Sequence, residues 1–133
     1  MKDEPKPKWR SFPPFYAHLG LELESLGDGR CAIRLPYAKH FGNTRGEVHG
    51  GIVASLLDIT LSQALRSNID GEADMATISM TVNYLAPAVG VLMCRGNTVR
   101  TGRSIGFAEG EVTDEKGYAV CRASATYRIL RPR

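Results

Sequence analysis

Over most of its length the chain alternates polar and apolar residues one for one, and in only one stretch do apolar residues recur at steps of three and four. Ala119, Cys121, Ala123, Ala125, Tyr127 and Ile129 fall on one face of an extended segment, and Arg122, Ser124, Thr126 and Arg128 on the other. Thr77, Ser79, Thr81 and Asn83 likewise alternate with Ile78, Met80, Val82 and Tyr84. A period of two is that of a half-buried strand. The pattern predicts strands over Leu21 to Leu26, Arg30 to Leu35, Met75 to Leu85, Val91 to Arg100, Ser104 to Thr113 and Ala119 to Leu130. Gly27-Asp28-Gly29 between the first two is a hairpin signal, and Asp114-Glu115-Lys116-Gly117 a turn between the last two. From about His49 to Ser67 the period changes: Ile52, Val53, Leu56, Leu57, Leu61, Ala64 and Leu65 mark one helix. Ala54 and Ile59 extend its apolar surface, so it should be buried on most sides. Pro13 to Gly20 predicts a short helical turn, and Pro36 to Gly46 a loop.

One buried helix and about six strands predict an α+β fold, a curved antiparallel sheet wrapped around the helix. Such a sheet leaves its edge strands unprotected, and dimerisation is a simple remedy. At 133 residues, with 43% hydrophobic and 23% charged, the chain has the size and composition of one globular domain. Residues 1–12, charged and proline-bearing, read as a loose tail rather than a secretory signal, because no apolar stretch follows the basic residues.

Met75 to Cys94 is free of charge and long enough for a membrane helix, but its period of two, Pro87 and Gly90 make it a strand and a turn. Cys31, Cys94 and Cys121 are too few and too dispersed for a disulfide framework or a metal knuckle, which suits the cytosol. A net charge of +3 is too mild to predict nucleic acid as a partner.

Two motif matches fail on context. Gly27 to Ala32 fits a dinucleotide-binding glycine pattern, which needs a helix where this chain has a strand. Gly102-Arg103-Ser104-Ile105-Gly106 fits a nucleophile elbow, but a strand-like run follows it, and His18, His40 and His49 all lie upstream. The acidic residues form no plausible metal cage, so neither a metal nor a cofactor is expected.

The chemistry concentrates in Asn43 to Gly51 and in Asp58. Gly50 and Gly51 stand at a helix start, where unpaired amides carry partial positive charge and the lack of side chains admits a ligand oxygen. Asn43 and His49 bring polar side chains to the same place. Asp58, in Leu56-Leu57-Asp58-Ile59, puts a carboxylate on a helix expected to be buried, where it needs a partner: an arginine, or a substrate it acts on as a base. It lies nine residues beyond His49, about 13 Å along the axis and half a turn away. One carbonyl cannot readily meet both within a subunit, so the spacing predicts a dimer in which the amides of one helix face the aspartate of the other.

Asn43, Gly46, His49-Gly50-Gly51 and Asp58 resemble the signature of the hotdog-fold acyl-CoA thioesterases of the phenylacetate-degradation (PaaI) type. The resemblance continues through Val82 to Ala88, Gly102-Arg103-Ser104 and Ala123 to Tyr127, and so spans residues 15 to 130. It implies hydrolysis of an aromatic or fatty acyl-CoA, coenzyme A being part of the substrate. It also implies homodimers with shared sites, commonly paired into tetramers. By position, Asp58 would be base or nucleophile, the Gly50 amide would polarise the thioester carbonyl, and Asn43 would orient water or the carbonyl. His49 would support the loop, and Thr77 would hold the attacking water. Gly51, Arg100 and Arg103 would contact substrate, the arginines at the nucleotide end of coenzyme A. Two rival readings on the same fold are an enoyl-CoA hydratase or dehydratase using His49 and Asp58, and a non-catalytic acyl-CoA-binding protein.

Overall fold

The computed structural model describes residues 6–132. Helix α1 (Pro14–Leu19) leads into the hairpin β1 (Glu22–Gly27) and β2 (Arg30–Leu35). A single 3-10 turn, Lys39–Phe41, interrupts the loop before helix α2 (Gly50–Ser67). Strands β3 (Asp74–Tyr84), β4 (Leu92–Thr101), β5 (Ile105–Thr113) and β6 (Ala119–Leu130) complete the chain. All six strands form one antiparallel sheet in the order β1-β2-β4-β5-β6-β3. The elements are those the pattern predicts, with ends displaced by one residue; Ser104 stays in the turn and Asp74 joins its strand. Asp28 and Gly29 both take positive φ, 54° and 76°, the conformation of a two-residue hairpin turn.

The sheet curls around α2 because its inner face is lined with small residues. Gly96 and Gly110 pair across β4 and β5, and a Cβ on Gly110 would stand 2.7 Å from a methyl of Leu61. Leu56, Leu57, Leu61 and Leu65 are consequently sealed from solvent. The helix is not buried all round, however. Gly51, Ser55, Asp58, Ser62 and Arg66, at helical spacing, keep one stripe accessible. Trp9 and Ser11, read from sequence as part of a loose tail, are half-buried against the fold, while Arg10 and Phe12 stay exposed. Trp9 lies 5.4 Å from the rings of both Phe12 and Tyr16, and the buried Gln63 donates to Ser11 Oγ and Tyr16 Oη.

The feature that matters most for function is a bulge in the edge strand β3. Pairing with β6 runs Thr77 with Tyr127, then Ser79 with Thr126, leaving Ile78 as the extra residue. Strict alternation would put Thr77 on the outer face with Ser79, Thr81 and Asn83. The bulge turns Thr77 to the helix side, with Met80 and Val82.

Candidate active site

The loop before α2 is tied by its own polar groups. Asn43 Oδ1 accepts from the amides of Arg45 (2.9 Å) and Glu47 (3.1 Å), while Val48 N donates to Ala88 O and His49 N to Phe41 O. Hydrogen bonding from Arg45 holds the Glu47 carboxyl below the usual carboxylate range against the opposing effect of desolvation, with the Asn43 hydrogen bond and the Arg45 charge helping. Asn43 is therefore first a loop-closing residue; its Nδ2, 3.4 Å from Glu47 Oε2, is the donor it presents.

His49 caps α2. Its Nδ1 accepts from the Gly51 amide at 2.9 Å, which puts the ring proton of the neutral imidazole on Nε2. This corrects one expectation: the Gly51 amide is taken by His49 and is not open to substrate. Gly50 N differs, since among the described residues no acceptor pairs with it. The Tyr84 hydroxyl donates to Gly50 O at 2.7 Å, and its ring stands 3.3 Å from where a Gly50 Cβ would be. A cleft of about 380 Å³ opens here, lined by Gly50, Val53, Tyr84, Leu85 and Pro87. It joins an amide donor to walls that are apolar at Val53, Leu85 and Pro87 and polar at Asn43, Arg45 and Glu47.

Asp58 lies on the accessible stripe of α2 and is partnered by two hydroxyls, not by an arginine. Thr77 Oγ1 donates to Oδ1 at 2.9 Å. Tyr127 Oη is 2.8 Å from the same Oδ1 and 3.0 Å from Asp58 O. Burial first, and then the Asp58 charge, push the Tyr127 phenol far above its ordinary range, so it is a fixed donor. Tyr127 escaped the sequence reading as a site residue. Its signal was present: a tyrosine on the apolar face of β6, between Ala125 and Ile129, needs a partner for its hydroxyl.

The structure thus brings Asp58 and Thr77 together, and Asn43, His49 and Gly50 together, but keeps the two groups apart. Eight residues of helix separate Gly50 from Asp58, about 12 Å along the axis. Arg100, near the end of β4, and Arg103, in the β4–β5 turn, are both exposed and lie beside neither group. Three strand spacings, about 14 Å, separate β4 from β3. Among the described residues no group of three or more His, Cys, Asp or Glu is placed to hold a metal, and no helix is long and apolar enough to cross a membrane.

Known proteins resemble this chain in sequence and in fold. A protein of Halobacterium salinarum provisionally named an esterase is 34% identical over 124 residues, covering 85% of this chain and 82% of its own. The medium/long-chain acyl-CoA thioesterase YigI of Escherichia coli is 27% identical over 132 residues, covering 87% and 85%. Among solved structures, a phenylacetic acid degradation-related protein from Ralstonia eutropha superposes with a TM-score of 0.82 at 25% identity, over 89% of this chain and 91% of that one. The model of the thioesterase superfamily matches residues 45–121, from the loop before α2 into β6. With its sheet wrapped around one long helix, this chain is a hotdog-fold protein and belongs to the thioesterase superfamily.

Proposed function

We propose that the protein hydrolyses acyl-CoA thioesters at sites shared between two subunits. The observation that carries this reading is the separation of the two halves of the chemistry. An unpaired Gly50 amide opens α2, and a hydroxyl-bound carboxylate sits about 12 Å further along the same helix. Two copies of α2 packed antiparallel along their accessible stripes bring the amide of one to the aspartate of the other. Small residues on that stripe, Gly51, Ser55 and Ser62, permit close approach, and β3 offers eleven residues of unpaired edge beside it.

In this site the Gly50 amide and the positive end of α2 stabilise the oxyanion that forms on the thioester carbonyl. Asp58 of the facing subunit removes a proton from water as the water oxygen bonds to the carbonyl carbon. The tetrahedral species then expels the thiolate of coenzyme A, which takes the proton from Asp58, leaving a free acid. Attack by Asp58 itself, through an anhydride that water opens, uses the same groups. Arg100 and Arg103 take the phosphates of coenzyme A, at a distance its long pantetheine arm bridges. Relatives bearing acyl-CoA thioesterase names support the substrate class, and Val53, Leu85 and Pro87 in the cleft beside Gly50 support an aromatic or fatty acyl group. Dimers pair further into tetramers, and the three free thiols suit a reducing cytosol.

A hydratase would use His49 through its free Nε2 together with Asp58. An enoyl-CoA in the test panel separates the two readings, because only a hydratase adds water to its double bond. The test is thiol release from a panel of aromatic and straight-chain acyl-CoAs, with wild type and Asp58→Asn side by side. Release by wild type alone supports the reading. Acyl-CoA bound intact by both proteins would make it a sensor, and equal release by both would remove Asp58 from the mechanism.

A further inference from the structure

Asp58 is held by one oxygen only. Thr77 Oγ1 and Tyr127 Oη both donate to Oδ1, at 2.9 and 2.8 Å, and among the described residues no donor reaches Oδ2. The two hydroxyls come from neighbouring strands, at positions paired with each other in the β3–β6 register. They meet on the carboxylate only because the β3 bulge turns Thr77 inward. A carboxylate with a single donor can still swing about its Cβ–Cγ bond. Two donors fixed on a sheet to the same oxygen remove that freedom and decide which oxygen is used for bonding within the chain.

We infer that Tyr127 is a positioning residue of the reaction: with Thr77 it pins Oδ1 and leaves the lone pairs of Oδ2 as the reactive ones. This rests on the reading of Asp58 as base or nucleophile and goes beyond it by naming the atom that acts and the residue that selects it. Tyr127 does not touch substrate. It is fully buried, and its hydroxyl spans Oδ1 and the Asp58 carbonyl oxygen, so it fixes the side chain relative to the helix that carries it. Its burial keeps the phenol protonated, which preserves the donor.

The test compares wild type, Tyr127→Phe, Thr77→Val, the double variant and Asp58→Asn on one hydrolysed acyl-CoA, reading kcat, KM and thermal midpoint. Tyr127→Phe should lower kcat about tenfold to a hundredfold, the range for a hydrogen bond to a charged group, with KM within about twofold. One donor alone leaves the carboxylate free to swing, so each single variant already releases it, and the double variant should lose less than the product of the two single losses.

Wild-type kcat in Tyr127→Phe, or a purely multiplicative double variant, would overturn the proposal while the Asp58→Asn result kept the mechanism standing. Wild-type rates in Asp58→Asn would remove the mechanism and the proposal together. Should Tyr127→Phe not fold, the exposed Thr77→Val carries the test: an unchanged kcat there would overturn the pinning, and a loss in kcat at constant KM would uphold it.

Discussion

The Tyr84 hydroxyl donates to the carbonyl oxygen of Gly50 at 2.7 Å, so the last residue of the edge strand holds the first residue of the helix. The bond holds the Gly50–Gly51 peptide, next to the His49–Gly50 peptide whose N–H is the proposed oxyanion donor, and so fixes the helix start that carries it. Tyr84 is itself more than half exposed, and losing its hydroxyl should cost the fold little. Tyr84→Phe is expected to reduce kcat about threefold to tenfold, as for one neutral hydrogen bond, with a thermal midpoint near that of wild type. Steady-state kinetics beside a melting curve checks this, and an unchanged kcat would count against it.

Gly50→Pro offers a clean removal of the proposed donor. Proline is favoured at the first position of a helix, and His49, at φ −56° and ψ 136°, already has the extended conformation a residue before proline adopts. The variant should fold and dimerise yet lose about 10²–10³ in kcat, the usual effect of deleting an oxyanion donor. Gly50→Ala keeps the amide and asks Tyr84 to give by only a few tenths of an ångström, so it should lose far less.

The wrap of the sheet makes a prediction of its own. A Cβ at position 110 would sit 2.7 Å from both Arg95 O and a Leu61 methyl, and the backbone oxygen cannot move aside. Gly110→Ala should destabilise the fold by about 1–3 kcal/mol, measured by denaturant unfolding, through overpacking rather than any loss at the site.

Much of this architecture was legible in the alternation of residues. The β6 pattern placed Tyr127 on the inner face, and the apolar steps of α2 located Asp58 on a mostly buried helix. What periodicity misses is a register change. Thr77 reads as an outer residue in unbroken alternation, and only pairing with β6 reveals the bulge that turns it to Asp58. The capture of the Gly51 amide by His49 was equally hidden, because it depends on one side-chain torsion at the helix start. Arg100 and Arg103 were named as site residues at the nucleotide end of coenzyme A, and within a single chain they lie beside neither Gly50 nor Asp58.

The buried thiols set an alkaline limit on stability. Burial, with the neighbouring Cys94, pushes Cys31 from 9.0 to about 12, and burial likewise pushes Cys94 to about 12. Above pH 9 the unfolded chain gives up these protons while the folded chain keeps them, so the unfolded state binds fewer protons and stability falls as pH rises. The contribution is complete below pH 9 and lost through about 12. Thermal midpoints at pH 8 and pH 10 should therefore diverge more in wild type than in Cys31→Ala, and parallel slopes would contradict the assignment.

The shared site is tested most directly by mixing two inactive proteins. Asp58→Asn keeps a working Gly50 amide, and Gly50→Pro keeps a working Asp58. If each site takes one group from each subunit, a mixed dimer contains one intact site and one doubly damaged one. Co-refolding the two variants in equal amounts gives half mixed dimers by symmetry, so acyl-CoA hydrolysis should return to about a quarter of the wild-type rate. A mixture no more active than either parent would place both groups in the same subunit's site and contradict the account.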